Sequence, residues 1–196
     1  MALEAVSDAE LVLCAIKRDA AAFNQLVRRW EKPLYNFALR LTGNREDALD
    51  LTQETFFKAY RQLRQLRTRD KFSHWLFKIA LNLFYTSKRG SQGKKTVSLE
   101  DEIEEGITWN DAIAHPDSAR GKDAEADAVE RIRSQSVRRA ILALNPEQRA
   151  AIVLKVFYGM KFEEIAEVVE CPVSTVKSRL YAALENLQVS LKEWVE

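Results

Sequence analysis

The sequence predicts an all-α protein built from two small helical domains that are joined by a flexible acidic linker. Apolar residues recur at three- and four-residue spacing along most of the 196 residues, and only 6 glycines and 4 prolines interrupt them. Charge divides the chain, because residues 17–95 hold 18 Lys/Arg against 7 Asp/Glu, whereas residues 97–130 hold 2 against 11. The predicted domains are therefore 1–95 and 126–196, with a linker at 96–125.

The first elements are predicted from caps and helix breakers. Ser7 and Glu10 have the spacing of a capping box, which predicts a helix start at that point. The next helix is expected from Ala20 to about Glu31, because Pro33 should end it or open the following one. Thr42-Gly43-Asn44 then predicts a stop followed by a new N-cap.

A helix from Arg45 to Leu63 carries acidic residues in an unusual pattern. Its predicted buried face comprises Leu49, Phe56, Tyr60 and Leu63. Glu46, Asp50 and Glu54 recur every four residues, where like charges repel by a few tenths of a kcal/mol per pair. Complementing the helix dipole explains acids in the first turn. A docking face for a basic protein also explains the later ones, and both interpretations stay open.

Basic and aromatic residues are interleaved in the following segment. Arg61, Arg64 and Arg67 recur at every third position, and a helix is predicted from Asp70 to Lys88. Its expected inward residues are Phe72, Trp75, Leu76, Ile79, Ala80 and Leu83. Cations among rings are typical of a surface for melted nucleic acid, although the same rings fit a core. Asn82 lies at the margin, where its amide could read a base edge.

Two helices of the predicted second domain lead to the most informative stretch. Helix is expected to resume near Asp123 and to run to about Leu144. Asn145-Pro146-Glu147 then combines a cap with proline at the first helical position. The helix that follows has a predicted buried set of Ala150, Ile152, Val153, Val156 and Phe157.

Residues 161–187 have the pattern of a helix-turn-helix. Apolar residues at helical spacing occur on both sides of Cys171-Pro172-Val173, which interrupts the periodicity. They are Phe162, Ile165, Ala166 and Val169 before the break, and Val176, Leu180, Ala183, Leu184 and Leu187 after it. The outward residues of the second helix are expected to be Ser174, Ser178, Tyr181, Ala182 and Glu185, flanked by Lys177 and Arg179. Such a helix suits the major groove of DNA, while a helical hairpin with a solvated face is the alternative.

The sequence offers no catalytic constellation, no metal site and no cofactor motif. We find no glycine-rich phosphate loop, zinc-ligand spacing or nucleophile elbow, and His74 and His115 lie far apart in the chain. Cys14 and Cys171 are too few for a disulfide framework, and whether either has a redox role stays open. No signal peptide or membrane-span-length apolar run is visible, so we expect a cytoplasmic protein without membrane insertion.

Three stretches resemble the extracytoplasmic-function (ECF) sigma factors of bacterial RNA polymerase. They are RLTGNREDALDLTQETFFKAYRQL at 40–63, KFSHWLFKIALN at 71–82, and the segment from Leu144 to Leu187. The resemblance implies a first domain that binds core RNA polymerase and opens the −10 promoter element, and a second that reads the duplex −35 element. It also implies an anti-sigma factor as a partner.

The resemblance assigns expected roles to individual residues. Contacts with the polymerase are expected from Asp47, Asp50, Gln53 and Glu54. Contacts with the melted −10 element are expected from Arg64, Arg67, Lys71, Phe72 and Asn82. Contacts with the −35 element are expected from Ser174, Thr175, Lys177, Ser178, Arg179 and Tyr181. This chain has Ala182 where many members of the family have a basic residue, which removes one expected DNA contact.

Two other functions are compatible with the residues themselves. The first is a transcriptional regulator that binds duplex DNA through the helix-turn-helix without joining the polymerase. It gives no role to the acidic stripe formed by Glu46, Asp50 and Glu54. The second is a helical adaptor that binds only proteins, which predicts no salt-dependent affinity for DNA.

Overall fold

The computed structural model describes residues 6–90 and 124–192, and the regular elements in both ranges are helical. The all-α prediction is confirmed. The predicted linker lies outside the described residues apart from its last two positions, which begin a helix. None of the helices within the described ranges is both long and apolar enough to cross a membrane.

The elements follow one another with short connections inside each half. Residues 6–90 form helices α1 (Asp8–Ile16), α2 (Ala20–Thr42), α3 (Arg45–Gln62) and α4 (Phe72–Gly90), with 3₁₀ turns at Leu63–Gln65 and Arg69–Lys71. Residues 124–192 form α5 (Ala124–Ala143), α6 (Pro146–Ile152), a π-helical turn (Val153–Phe157), α7 (Phe162–Val169) and α8 (Val173–Ser190). We refer to these ranges as the first and second halves.

The predicted capping box at the start of α1 is confirmed. The Ser7 hydroxyl accepts a hydrogen bond from the Glu10 backbone N–H at 3.3 Å, and the Ser7 N–H donates to the Glu10 carboxylate at 2.9 Å. Trp30 donates from its indole N–H to the Asp8 carboxylate at 2.8 Å. This bond fixes the start of α1 against the middle of α2.

The prediction that Pro33 ends one helix or opens the next is wrong, because α2 continues through it to Thr42. A proline inside a helix removes one backbone hydrogen bond and costs about 3 kcal/mol. Leu26, Leu34 and Phe37 are fully buried on the same side of α2. Burying each stabilises by about 1.5–3 kcal/mol, so keeping one continuous apolar stripe outweighs the loss.

Gly43 ends α2 and Asn44 begins α3, as the sequence predicts. Gly43 adopts the left-handed conformation with φ of 77°, which favours glycine. Its N–H donates to the Leu39 carbonyl at 2.9 Å. The Asn44 side chain accepts from the Asp47 N–H at 3.0 Å. The chain therefore reverses tightly and α3 returns along α2.

The predicted buried face of α3 is half wrong. Phe56 and Leu63 are buried, but Leu49 and Tyr60 are 50% and 56% exposed. The other buried residues of α3, which packs against α2, are Ala48, Leu51, Thr52, Thr55 and Ala59, and four of these five are small. The buried threonines donate to carbonyls one turn back, at 2.7 and 2.6 Å, so their hydroxyls are satisfied. Small residues let the two helices approach closely, which turns the larger ones outward.

In the second half the Asn145 cap and the proline at the first position of α6 are confirmed. The prediction that Val156 is buried is wrong, since it is 61% exposed. The π-helical turn causes this change. It adds a residue to one turn of helix, which rotates Val156 to the surface.

The two halves pack against each other through buried aromatic rings. Tyr158 of the second half lies 4.7 Å from the Phe77 ring and 5.6 Å from the Phe37 ring. Arg138 donates to the Gly43 carbonyl at 2.6 Å, and Arg149 donates to the Leu41 carbonyl. The α2–α3 turn and the face of α4 that meets α7 are therefore held by the second half.

Candidate nucleic-acid interface

The outer face of α8 presents hydroxyls, a cation and a ring to solvent. Ser174, Lys177, Ser178 and Tyr181 are exposed, the last at 63%. Thr175 and Arg179 are half-buried at its margins, while the opposite face buries Val176, Leu180 and Ala183. The side chains expected to contact the −35 element thus lie together along one helix.

The turn before α8 fixes the angle at which this face is presented. Glu170 adopts a left-handed conformation with φ of 53°, and the Cys171 N–H donates to the Ala166 carbonyl at 3.2 Å. The Pro172 carbonyl then accepts from the Val176 N–H at 3.1 Å. The Lys177 ammonium lies 5.4 Å from the centre of the Phe162 ring, which keeps this cation at the edge of the helix.

A second surface on α3 combines carboxylates with apolar side chains. All of the residues expected to contact the polymerase are exposed: Asp47, Asp50, Gln53 and Glu54. Leu49, Phe57 and Tyr60 lie on the same helix and are 50%, 63% and 56% exposed. We call these seven residues the α3 face. DNA phosphates would be repelled by its acids, whereas a basic protein with apolar contacts would be attracted.

A third surface gathers cations in an open groove beside the first turns of α4. The groove has a volume of about 450 Å³, and its wall from the first half includes Arg67, Lys71, His74, Trp75 and Lys78. We call it the α4 groove. Residues 71, 74, 75 and 78 have the spacing of one helix face, and this signal could have identified His74, Trp75 and Lys78 from the sequence.

The structure brings together only two of the five residues expected to contact the −10 element. Arg67 and Lys71 line the α4 groove. Arg64 is exposed outside its lining, and Asn82 is exposed one turn beyond Lys78.

Phe72, which the helical period predicts to point inward and the resemblance assigns to the −10 element, has a fully buried side chain. The inward prediction is confirmed, and the −10 contact stays a prediction. Phe72 begins α4 immediately after a 3₁₀ turn, and its ring packs 6.1 Å from that of Trp75. Trp75 is half-buried and lines the groove.

Carboxylates of α7 and of its C-cap lie on the opposite wall of the α4 groove. Lys71 Nζ lies 2.6 Å from a Glu167 carboxylate oxygen, and Lys78 Nζ lies 2.7 Å from one of Glu170. The hydrogen bond from Lys71 lowers the pKa of the Glu167 carboxyl from its ordinary value. All four side chains keep at least a third of their surface exposed. Two of the groove's cations are therefore occupied by carboxylates of the second half.

Two family models match the chain, one in each half. The model described as Sigma-70 region 2 matches residues 26–94. The model described as Sigma-70, region 4 matches residues 134–187. The first range includes the α3 face and the α4 groove, and the second includes the helix-turn-helix.

Curated proteins of similar length match over nearly the whole chain. The ECF RNA polymerase sigma-E factor of Escherichia coli (strain K12) is 34% identical over 186 residues, which cover 94% of each chain. The ECF RNA polymerase sigma factor SigW of Bacillus subtilis is 33% identical over 179 residues, covering 90% of this chain and 92% of SigW. RNA polymerase sigma-H factor of Pseudomonas aeruginosa is 30% identical over 190 residues, covering 94% of each.

Two solved structures share this arrangement of helices. One is the sigma factor RpoE in complex with the anti-sigma factor NepR from Bartonella quintana, with a TM-score of 0.62 and 28% identity. The match covers 87% of this chain and 96% of RpoE. The other is CnrH in complex with the cytosolic domain of CnrY, with a TM-score of 0.66 and 25% identity over 96% of this chain and 99% of CnrH.

Proposed function

Because the chain belongs to the extracytoplasmic-function sigma factors of bacterial RNA polymerase, we propose that it binds core RNA polymerase and directs it to specific promoters. The domain within residues 1–95 binds the polymerase and the melted −10 element. The domain within residues 126–196 reads the duplex −35 element. The chain works by non-covalent contacts and needs no cofactor, because the polymerase performs the chemistry.

The observation that carries this proposal is the exposed α3 face on an otherwise basic half. A domain with an excess of 11 positive charges between residues 17 and 95 would bind DNA unaided. The carboxylates of Asp47, Asp50 and Glu54 would oppose that binding if DNA were its partner on this side. Together with exposed Leu49 and Phe57 they fit a basic, partly apolar protein surface.

We assign the outer face of α8 to the −35 element. An α-helix fits the major groove, where side chains reach base edges and phosphates on either side. The hydroxyl of Ser178 and the ring of Tyr181 lie at the middle of the exposed face. Lys177 lies at its edge, where it would meet a phosphate.

The α4 groove is the proposed site for the unpaired −10 bases. Cations there can hold the phosphate backbone of a single strand, while the half-buried Trp75 ring offers a surface for stacking. Asn82 can donate to and accept from the edge of a base on the same helix. Arg67 adds a cation to the wall of the groove, and Arg64 extends the basic surface beyond it.

A protein inhibitor is the further partner that we propose. RpoE was solved with an anti-sigma factor, and CnrH with the cytosolic domain of CnrY. The shared arrangement of helices supports a similar partner for this chain. The proposed place of action is the cytoplasm, where the polymerase works.

Binding to core polymerase and promoter-dependent transcription in vitro test the proposal. We expect the purified chain to form a stable complex with bacterial core polymerase and to start transcription from a subset of a random promoter library. The double variant Asp50→Lys/Glu54→Lys should weaken the complex at least tenfold, because two attractions become repulsions.

The matched control reverses two other exposed acids. Glu31 and Glu163 form no ion pair with the residues that the structure describes, so Glu31→Lys/Glu163→Lys should bind like the wild type. If both double variants weakened the complex with core polymerase equally, the effect would come from net charge and not from the α3 face. If neither pair changed transcription while DNA binding persisted, a regulator independent of polymerase would replace our proposal.

A further inference from the structure

We propose that Glu167 of α7 and Glu170, which caps the C-terminus of α7, act as an internal substitute for the phosphates of the melted −10 strand. In this closed conformation they occupy the α4 groove, so the two halves must separate before the strand can bind. This regulation rests on the proposed function of the groove as the −10 site. The structure supports it through contacts, distances and the spacing of the promoter elements.

The ion pairs place the carboxylates at the cations that DNA would need. Both oxygens of Glu167 lie within 2.7 Å of Lys71 Nζ, so they neutralise the charge that a phosphate would otherwise contact. About two helical turns beyond Lys71, Lys78 Nζ on α4 lies 2.7 Å from a Glu170 carboxylate oxygen. Ala166 and Val168 of α7 line the same groove. A single strand cannot enter the groove at these points while α7 is in place.

The closed arrangement cannot contact both promoter elements at once. The −35 and −10 elements lie about 25 base pairs apart, which is about 85 Å of duplex at 3.4 Å per base pair. In the structure α4 packs directly against α7, which belongs to the helix-turn-helix. The 33 residues at 91–123 could span about 110 Å when extended, so the chain length permits separation.

The other two candidate surfaces remain accessible when the halves are closed. Tyr181 at the centre of the α8 face is 63% exposed, and Phe57 in the α3 face is equally exposed. The polymerase can thus contact α3 before the groove opens. Because exposed ion pairs stabilise weakly, Glu167 and Glu170 contribute only part of the free energy of opening, and the contacts of Tyr158, Arg138 and Arg149 across the halves contribute the rest.

The experiment removes the two carboxylates without adding charge. Glu167→Gln/Glu170→Gln is compared with Glu31→Gln/Glu163→Gln in the full-length chain, and circular dichroism checks folding of both. Small-angle X-ray scattering reports the separation of the halves. Fluorescence anisotropy reports binding of a fluorescein-labelled single-stranded −10 oligonucleotide, taken from a promoter that the holoenzyme selects.

We expect Glu167→Gln/Glu170→Gln to bind the oligonucleotide about two- to twentyfold more tightly than the control. Its radius of gyration should be no smaller than that of the control, because the contacts of Tyr158, Arg138 and Arg149 between the halves remain. Scattering and affinity equal to those of the control would overturn the inference. So would expansion without tighter binding, or the absence of oligonucleotide binding by every variant, because then the carboxylates would not compete with DNA.

A charge swap separates this inference from the proposed function. Lys71→Glu/Glu167→Lys keeps an ion pair of reversed polarity between the halves. We therefore expect this variant to remain closed and to bind the oligonucleotide weakly. If Lys71→Ala left open-complex formation by the holoenzyme unchanged, the −10 assignment would fail. If Lys71→Ala impaired it but Glu167→Gln/Glu170→Gln matched its control, only the competition by Glu167 and Glu170 would be disproved.

Discussion

The hydroxyl of Tyr158 donates a hydrogen bond to the backbone carbonyl oxygen of Pro33 at 2.7 Å, across the boundary between the two halves. Burial raises the pKa of this hydroxyl above its ordinary range, so it remains a donor. The π-helical turn ends at Phe157 and directs the next ring, Tyr158, between Phe37 and Phe77. A helix irregularity in one half therefore meets the proline-containing helix of the other.

Removal of this hydroxyl should loosen the closed arrangement. We expect Tyr158→Phe to lower the free energy of unfolding by about 1 kcal/mol, because the ring still packs but the hydrogen bond is lost. Chemical denaturation measures the change. Tyr181→Phe is the control, since its ring is 63% exposed and should leave stability within about 0.5 kcal/mol of the wild type. Equal effects would show that the hydroxyl contributes no specific contact.

Gly43 should be more sensitive to substitution than Gly159. Both have positive φ, 77° and 62°, so alanine at either should cost about 1–2 kcal/mol in backbone strain. A Cβ at Gly43 would also lie 2.8 Å from both Leu142 methyl carbons, whereas Gly159 has open space. Thermal unfolding of Gly43→Ala and Gly159→Ala should therefore give the lower Tm for the first. If the contact with Leu142 causes the difference, Gly43→Ala should lower the Tm of the Leu142→Ala variant by less than it lowers the Tm of the wild type.

Alkaline pH should destabilise the protein through Tyr85. Burial, and then the nearby charge of Glu147, raises the pKa of Tyr85 from 10.0 to about 12, although Arg179 opposes the shift. A folded-state pKa above the unfolded value stabilises fully below pH 10, and the contribution is lost as pH rises towards 12. Two pH units correspond to at most about 2–3 kcal/mol. The free energy of unfolding at pH 9 and 11.5 should therefore fall less in Tyr85→Phe than in the wild type. If the free energy of unfolding fell equally in both proteins, the raised pKa of Tyr85 would not be the cause.

Two neighbouring substitutions on α8 should differ in kind. Ser178→Ala removes a hydroxyl from the middle of the exposed face and should change which −35 sequences are preferred. Lys177→Ala removes a cation from the edge of that face and should weaken binding to all −35 sequences nearly equally. The slope of log affinity against log salt concentration should become about one unit less steep. Transcription from a promoter library at two salt concentrations measures both effects. If both variants left the ranking and the strength of the promoters unchanged, the assignment of α8 as the recognition helix would be wrong.

Much of the local structure was predictable because short-range chemistry fixes it. Ser7 with Glu10, Gly43, and Asn145 before proline are local signals whose hydrogen bonds lie within one turn of helix. The errors at Pro33 and Tyr60 have a different origin. At both positions a neighbouring helix determined the result, through continuous burial along α2 and through small residues between α2 and α3.

The candidate site also contains features that local sequence predicts and features that only contacts between distant residues determine. Exposure of Ser178 and Lys177 could be read from the helical wheel, because the period of one helix sets which residues share its face. The α4 groove needed the fold, since its cations meet carboxylates that lie 92 or more positions away in the chain, as Lys71 meets Glu167. Phe72 shows the limit most clearly, because an aromatic residue beside a basic one fits a core and a nucleic-acid surface equally well.

The sequence by itself determined that this is an all-helical protein of the ECF sigma family with an acidic stripe, a basic aromatic segment and a helix-turn-helix. Helical periodicity and capping act within a few residues, so they are legible in one dimension. Only the tertiary structure decided that α7 covers the basic groove of α4 and that Tyr158 fastens one half to the other. Those contacts join residues distant in sequence, and burial with charge pairing in three dimensions selects them.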